Sequence, residues 1–297
     1  MTSLFKLALD QKADVLKKIR QFFDDQSVLE VQTTSLLNVP VTDVYIDSIS
    51  IQINLDIQLK TQYLHTSPEL EMKKLIAQGS GDIYQICQVY RDNEQGSQNF
   101  NEFTMLEYYR LNFDSHQLMG DVISLIKVLG IKGEVHKLSY AQAFEQFAQI
   151  NILNTNFDEL KVIAKSHQLS IDFDWIEDLQ IFLFTALCEP KLEQLPICFI
   201  YDYPAVQSAL ARVEGQVAHR FELYLSGMEV ANGYDELQDA QAYQQIFDRE
   251  NSKRKQLNKP CFELDIAFLK QLENSLPQCS GVAVGIDRLI SQIAKSD

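Results

Sequence analysis

Three short stretches of the chain carry charged residues where a folded core would be expected to hold aliphatic side chains. In "VYRDNEQGSQNFNEFTMLEYY", Arg91 closes an apolar strand, and a second strand resumes with Glu107 and Tyr109. Alternation along that strand puts Phe103, Met105, Glu107 and Tyr109 on one face. A buried carboxylate without a partner costs several kcal/mol, so Glu107 needs a cation. That cation comes either from the protein, as a structural pair with Arg91, or from a ligand.

The other two stretches contain acids and glycines at spacings that suit a phosphate ligand. In "GMEVANGYDEL", Glu229 and Glu236 bracket an Asn-Gly turn signal, and two such acids either bind a divalent cation or are simply solvated. In "GVAVGIDRL", Gly281 and Gly285 would let a ligand approach the backbone. Arg288 falls in the first turn of a helix, where the dipole disfavours a cation unless it meets an anion, a ring or a neighbouring acid.

The elements that must position these residues are strands separated by long helical stretches, without regular βαβ repetition. This pattern predicts an α+β fold, an antiparallel sheet flanked by helices, with residues 1–297 as one domain. Thr66 or Ser67 is expected to cap a short helix that begins in "TSPEL", and Asp114 is expected to cap the amphipathic helix in "DSHQLMGDVISLIKVLG". Strands are expected over 49–59 (or a hairpin), 83–91, 102–112, 196–203, 219–227 and 228–233, and helices over most of 140–195 and over 238–255 and 264–275.

Composition narrows the class of protein. The chain has 297 residues, of which 46% are hydrophobic, and a formal net charge of -15, which argues against strong nucleic-acid binding through the whole surface. The basic run "NSKRKQLNK" is expected to be a solvated helix end. No apolar run reaches about 18 residues, so we expect no membrane span, no signal peptide and a cytoplasmic protein.

In their order and spacing, the three stretches resemble the class II aminoacyl-tRNA synthetases. The shared features are an arginine that closes a strand before a loop ending in phenylalanine, a Gly-x-Glu-x-x-Asn-Gly motif and a glycine-rich strand leading to Gly-x-Asp-Arg. "TSPEL", "NEFTMLEYYR", "GMEVANGYDEL" and "CSGVAVGIDRL" resemble the lysyl type in particular. The similarity covers nearly the whole chain and implies a catalytic core without an anticodon-binding domain.

A lysyl-type core of this kind resembles the lysine ligases of elongation factor P, which are paralogues of lysyl-tRNA synthetase. The resemblance implies ATP and Mg²⁺ as cofactors, (R)-β-lysine or lysine as substrate, elongation factor P as acceptor and a homodimer. Ser67 and Ala283 stand where lysyl-tRNA synthetases tend to have Ala and Gly. An added methyl group in the pocket floor would disfavour α-lysine by about 1–3 kcal/mol.

The resemblance also implies a role for individual residues. Arg91 would hold the α-phosphate and the substrate carboxylate, and it would act with Arg288 as a catalytic residue. Phe103 and Arg288 would sandwich the adenine, and Glu229 and Glu236 would bind magnesium. The implied ATP-binding residues are Arg91, Asp92, Asn93, Phe100, Phe103, Glu229, Val230, Gly285 and Arg288. The implied amino-acid-binding residues are Ser67, Pro68, Glu69, Glu107, Tyr109, Glu236 and Ala283.

The chain departs from the family pattern in the loop after Arg91. The usual Arg-x-Glu ends here in Asn93, with Glu94 one position later, and the usual His-Asn-Pro is Asn99-Phe100-Asn101. These changes remove a carboxylate expected near the adenine and a histidine expected near the γ-phosphate. Two alternatives follow: a catalytically impaired binding or regulatory subunit, and a truncated synthetase-like enzyme that acts on another acceptor.

Overall fold

A mixed β-sheet forms the centre of the protein in a computed structural model that describes residues 4–55, 58–94, 100–169, 173–272 and 276–296. Its strands and those of a smaller sheet are short, as is usual in globular proteins. They are β1 (Leu29–Glu30), β2 (Leu36–Leu37), β3 (Ser50–Leu55), β4 (Gln58–Leu64), β5 (Ile83–Tyr90), β6 (Glu102–Leu111), β7 (Val135–Ser139), β8 (Ile197–Pro204), β9 (Val213–Glu214), β10 (Val217–Leu225), β11 (Met228–Asp235) and β12 (Cys279–Gly285).

Helices lie on the faces of the sheet and in the long connection between β7 and β8. They are α1 (Leu4–Asp24), α2 (Glu69–Ala77), α3 (Ser115–Val128), α4 (Tyr140–Ala148), α5 (Phe157–Ser166), α6 (Ile176–Leu183), α7 (Glu189–Leu192), α8 (Ala240–Gln256), α9 (Ile266–Leu272) and α10 (Ile286–Ser296). A π-helical turn joins α6 to α7. None of these helices is long and apolar enough to cross a membrane.

The nine-stranded central sheet has the order β1-β5-β6-β12-β11-β10-β8-β7, with β9 paired to β10. The strands from β5 to β8 in this order pair antiparallel, as predicted. The pairs at the two ends, β1 with β5 and β7 with β8, are parallel, which corrects the expectation of a purely antiparallel sheet. Both parallel pairs are joined by long connections that contain helices, and a parallel pair requires such a crossover.

The predicted alternating stretch over 49–59 forms the hairpin of β3 and β4, although residues 56 and 57 lie outside the described ranges. This hairpin belongs to a separate sheet with the order β2-β4-β3. Strand alternation therefore predicted the local structure correctly, but not the sheet in which the strands pair.

The turn between β10 and β11 corrects another expectation. Ser226 and Gly227 form it, both at positive φ, whereas the Asn232-Gly233 pair lies inside β11. Gly233 sits opposite Phe221, whose ring occupies the space that a Cβ on Gly233 would take. The glycine is therefore required by close packing, and not by a turn.

Helix starts were predicted with mixed success. Asp114 caps α3 in a capping box with Gln117, as the sequence pattern indicates. Helix α2 instead has Pro68 at its N-cap position and no side-chain cap, so neither Thr66 nor Ser67 caps it. Ser67 still contacts the helix, since its Oγ lies 3.4 Å from the Glu69 backbone nitrogen.

The two faces of β6 divide the core from the site. Leu106 and Tyr108 point into a hydrophobic cluster that also contains residues of α1, α3 and α10. The alternate residues, among them Glu107 and Tyr109, face a cavity on the other side. Period-two alternation thus puts the packed core and the polar site on opposite faces of one strand.

The basic run at the end of α8 is solvated at Lys255, as expected, but Arg254 and Lys259 bind other parts of the chain. Arg254 is only 1% exposed and donates to the carbonyl oxygens of Pro260 at 2.7 Å and Asp43 at 2.6 Å. Lys259 donates to the Val44 carbonyl oxygen at 2.9 Å. These cations therefore hold a distant segment, residues 41–47, against α8, and we call this segment the strap.

Removing the Arg254 side chain should destabilise the protein. Arg254→Ala removes a buried side chain and takes its donors from the Asp43 and Pro260 carbonyl oxygens, so we expect the free energy of unfolding to fall by about 2–4 kcal/mol. Urea denaturation measures this change. Lys255→Ala is the matched control, because Lys255 is exposed and its loss should cost less than about 0.5 kcal/mol. Equal effects of the two substitutions would show that the Arg254 contacts do not stabilise the fold.

Candidate active site

The predicted residues surround one cavity of about 560 Å³. Strands β6, β11 and β12 form its floor, and the start of α2 and the residues after β5 form its sides. All of the predicted site residues line this cavity except Pro68, Asp92 and Asn93. The three sequence stretches that suggested chemistry are therefore parts of one site.

The three exceptions differ in kind. Pro68 is buried at the start of α2, behind residues that do line the cavity. Asp92 and Asn93 are exposed, and Asn93 has a left-handed backbone with φ 59°. Glu94 follows this turn and lines the cavity. Asn99, which was expected to matter in the same loop, lies outside the described residues.

One end of the cavity contains buried acids. Glu107 is 3% exposed, and its Oε1 accepts a 2.6 Å hydrogen bond from the Tyr109 hydroxyl. Its Oε2 has no hydrogen-bond partner among the residues that the structure describes. Burial, and then the negative charge of Glu69, raise the pKa of Glu107 to about 8. The site therefore presents an unpaired acceptor and would gain from a cationic ligand.

Lys73 holds the remaining acids of this end together. Its Nζ lies 2.6 Å from Glu69 Oε1 and 2.6 Å from Glu236 Oε2, and the side chain is fully buried. Burial alone would lower the pKa of Lys73, but the charges of Glu236 and Glu69 raise it well above its ordinary value. Lys73 is thus a permanent cation that neutralises one of the two carboxylates beside it.

Two small residues of β12 make room for the acids. A Cβ on Gly281 would collide with the Tyr109 ring and with Glu236 Oε1. Gly281 therefore accommodates side chains of the pocket itself, which corrects the expectation that it lets a ligand approach. Ala283 pairs across the sheet with Glu107 and lines the cavity.

The other end of the cavity contains arginines and a phenylalanine. The Arg91 guanidinium carbon lies 5.2 Å from the centre of the Phe103 ring. Arg91 Nε makes a long contact, 3.4 Å, with the Thr66 carbonyl oxygen. The suggested Arg91–Glu107 pair is not found among the described residues, because Glu107 bonds to Tyr109 instead. Arg91 and Glu107 consequently serve different ends of the site.

Arg288 is positioned by the residue before it. Asp287 Oδ2 accepts from the Thr104 backbone nitrogen at 2.7 Å, and its Oδ1 pairs with Lys12 at 2.8 Å. These bonds join the start of α10 to β6 and α1. Arg288 Nη1 then donates to the Glu229 carbonyl oxygen at 3.1 Å and lies 3.8 Å from Glu229 Oε2.

The expected magnesium pair is not close in space. Glu229 lies near the start of β11 and Glu236 just beyond its end. An extended strand rises about 3.3 Å per residue, so their Cα atoms are about 20 Å apart, too far for one ion. We expected the two acids to meet because an Asn-Gly turn would fold the chain back between them. No turn occurs there, since β11 is a continuous strand.

Glu222 is the acidic neighbour of Glu229. Tyr224, which sits opposite Glu229, donates a 2.6 Å hydrogen bond to Glu222 Oε2. Burial, and then the charge of Glu222, raise the pKa of Glu229 to about 7. Arg220 pairs with the other Glu222 oxygen and also lines the cavity. Glu222 and Glu229 therefore form a pair of carboxylates, with the cations Arg220 and Arg288 beside them.

Sequence reasoning missed Lys73, Arg220, Glu222 and Glu250 as parts of this site. A signal existed for Lys73, because Glu69 precedes it by four residues on a helix, which is ion-pair spacing. Glu222 and Tyr224 share a face of β10 by period two. Arg220 lies two residues before its partner Glu222 on the same strand, so period two was a signal for it as well. Glu250 had no local signal, since its partner Thr42 comes from a distant segment.

Comparison with known proteins agrees with this geometry. Residues 2–297 match the family model described as class II tRNA synthetases (D, K and N). The chain is 38% identical over 286 residues to the elongation factor P--(R)-beta-lysine ligase of Haemophilus ducreyi, covering 94% of this chain and 88% of that protein. It is 40% identical over 287 residues to the protein of the same name from Histophilus somni strain 2336, with the same coverage.

Replacing Glu107 should change how stability depends on pH. In the folded protein its pKa is about 8, against an ordinary value of 4.5, so the folded state holds a proton that the unfolded state releases. Stability is therefore lost as pH rises from about 4.5 to 8. Glu107→Gln should remove this loss and raise the free energy of unfolding at pH 8.5 by about 1–3 kcal/mol.

Urea denaturation at pH 6.0 and 8.5 measures this difference. Glu102→Gln is the control, because Glu102 lies on the same strand and is exposed. Equal pH dependence in Glu107→Gln and the unaltered protein would show that Glu107 is ionised in the folded state.

Proposed function

The chain belongs to the class II tRNA synthetase family of the D, K and N type and is an amino-acid ligase, and from this we propose an ATP-dependent reaction in two steps. The enzyme activates (R)-β-lysine or lysine as an adenylate. It then transfers the acyl group to a lysine side chain of elongation factor P, the protein in the names of its relatives.

The observation that carries the proposal is the charge of the acidic end. Glu69, Glu107 and Glu236 provide three carboxylates, and Lys73 provides one ammonium group. Two negative charges therefore remain when all four groups are ionised, and lysine and β-lysine each bring two ammonium groups. An amino acid with an apolar side chain would leave Glu107 Oε2 unpaired in a buried place.

The arginine end suits a nucleotide. Phe103 offers an aromatic face, and Arg91 and Arg288 offer guanidinium groups for phosphate oxygens or for stacking. Among the described residues, the nearest atom to a Cβ on Gly285 would lie 3.8 Å away, so packing against these residues does not require the glycine. A nucleotide that lies against this backbone would require it. In this chain Asn93 replaces the glutamate of the family's Arg-x-Glu motif. Glu94, the next residue, lines the cavity and supplies a carboxylate there.

Glu222 and Glu229 are the pair that would hold magnesium. They provide hard oxygen donors on one face of the sheet, and burial and then the charge of Glu222 make Glu229 harder to ionise until a cation binds. Bound Mg²⁺ would neutralise the charge on the phosphates of ATP. Glu236 is held by Lys73 and belongs to the amino-acid end.

In the activation step, an oxygen of the substrate carboxylate attacks the α-phosphorus, and pyrophosphate leaves. Negative charge builds on the α-phosphate oxygens in the transition state. Arg91 is placed to donate hydrogen bonds to that charge and to align the carboxylate, while the buried acids hold the ammonium groups. The role of the protein is thus chiefly orientation and charge stabilisation.

A protein acceptor is supported by the formal net charge of -15, because tRNA binding depends on clustered cations that neutralise phosphates.

We further propose a cytoplasmic homodimer. The exposed leucines Leu29, on edge strand β1, and Leu59, on the small sheet, support an apolar contact with a second copy.

A pyrophosphate-exchange assay tests the first step. The protein should catalyse exchange with lysine or (R)-β-lysine, and Arg91→Ala should lower the rate by at least about 10²-fold, because transition-state charge loses its main donor. Arg249→Ala is the control, since Arg249 is an exposed arginine of α8. Failure of exchange with both substrates while ATP still binds would favour a binding or regulatory protein. Transfer to tRNA instead of elongation factor P would favour another acceptor.

The magnesium assignment has its own test. Glu222→Gln should raise the Mg²⁺ concentration that gives half-maximal exchange by about tenfold or more, because one donor of the pair becomes neutral. Glu236→Gln should instead raise the KM for the amino acid and leave the Mg²⁺ requirement unchanged. The reverse pattern would restore the pair first expected from the sequence.

A further inference from the structure

The cavity has a third wall that neither the nucleotide nor the amino acid accounts for. The strap contributes Val41, Thr42, Asp43 and Ile46 to this wall, and α8 contributes Phe247 and Glu250. Three of these side chains are apolar and two are carboxylates, of which Asp43 accepts hydrogen bonds from the backbone nitrogens of residues 45 and 46.

The strap is held in place by bonds to two sides of the site. Arg254 and Lys259 bind its carbonyl oxygens from the α8 side, as described above. At its far end, the Asp92 backbone nitrogen donates to the Asp47 carbonyl oxygen at 2.8 Å, next to Arg91. The third wall is therefore anchored on one side to the helix that carries Glu250 and on the other to the segment that carries the catalytic arginine.

Glu250 has no cation of its own among the residues that the structure describes. Its Oε2 accepts a hydrogen bond from the Thr42 hydroxyl, and no ion pair involves it in the described ranges. Burial raises its pKa to about 7, the Thr42 hydrogen bond opposes this rise, and the charge of Asp43 adds to it. Arg249 on α8 lowers the pKa and Glu69 on α2 raises it, both more weakly.

The acids of the amino-acid end are already matched. Lys73 neutralises one charge there, and the two ammonium groups of the activated amino acid take the remaining two. A ligase of this type must also bind a second amine, which belongs to the acceptor. That amine enters as an ammonium ion and must lose a proton before it can attack.

We propose that Glu250 binds the ammonium group of the acceptor lysine and removes its proton, and that the apolar residues of the third wall, Val41, Ile46 and Phe247, hold the methylene chain of that lysine. The inference rests on the proposed function and assigns a residue to its second step. Thr42 is a positioning residue, because its hydroxyl orients the Glu250 carboxylate.

The transfer step is balanced as follows. The acceptor ammonium gives one proton to the Glu250 carboxylate, and the neutral nitrogen forms a bond to the acyl carbon of the adenylate. The bond from that carbon to the phosphate oxygen breaks, and AMP leaves with the electron pair. The nitrogen releases its second proton to solvent, which gives the neutral amide.

Glu250→Gln separates the two steps. Transfer from the enzyme-bound adenylate to elongation factor P should fall by about 10²-fold or more, the usual contribution of a positioned base, while pyrophosphate exchange changes much less. The rate of transfer by the variant should keep rising up to pH 9, because more of the acceptor lysine is then a free amine. The rate of transfer by the unaltered enzyme should level off above about pH 7. Glu250→Asp should recover part of the rate. Asp248→Asn, an exposed acid of the same helix, is the control.

Thr42→Val provides a second test that keeps the carboxylate. Loss of the hydroxyl should move the pH at half-maximal transfer upward, with exchange little affected. The inference is wrong if Glu250→Gln leaves transfer unchanged or lowers it only in proportion to exchange, or if Thr42→Val leaves the pH profile in place. Absence of exchange by the unaltered enzyme would overturn the proposed function, and this inference with it.

Discussion

Negative charge buried on one face of a β-sheet is the constraint on which the site depends. Glu107 and Glu236 are almost fully buried, and removing a carboxylate from water costs several kcal/mol unless a cation compensates. Lys73 compensates part of this cost from α2. Gly281 lacks the Cβ that would separate Glu236 from Tyr109. The deficit that remains is an affinity for cationic ligands, which links a local loss of stability to the substrate choice that we propose.

The rest of the fold holds this face against its ligands through contacts between distant parts of the chain. Asp287 joins α10 to Lys12 on α1 and to the backbone of β6, across 275 and 183 residues respectively. Arg254 joins α8 to the strap across 211 residues. Such contacts set Arg288 at the arginine end of the cavity and hold the strap beside Glu250 at the third wall. The rigid sheet supplies the floor, and the long-range polar bonds determine which side chains stand around it.

Local patterns predicted those elements whose causes are local. The face of β6 followed from period two, and the Asp114 cap of α3 followed from an aspartate directly before an amphipathic stretch. Predictions failed where packing overrides local preference. Asn232-Gly233 has the composition of a turn, but the Phe221 ring requires a glycine there within a strand. Parallel pairing at the two ends of the sheet had no local signal, because it depends on where long crossovers return.

By itself, the sequence determined the residue types that can do chemistry, their approximate elements and the family that these motifs resemble. Arg91, Phe103, Glu107 and Tyr109 line one cavity in the structure. Alternation along a strand, which is a short-range property, had already put Phe103, Glu107 and Tyr109 on one face. Only the tertiary structure decided their partners. Whether a carboxylate meets Lys73, another acid or only a hydroxyl depends on which distant segments pack beside it, and electrostatic energy depends on that distance and on burial, neither of which is written in local sequence.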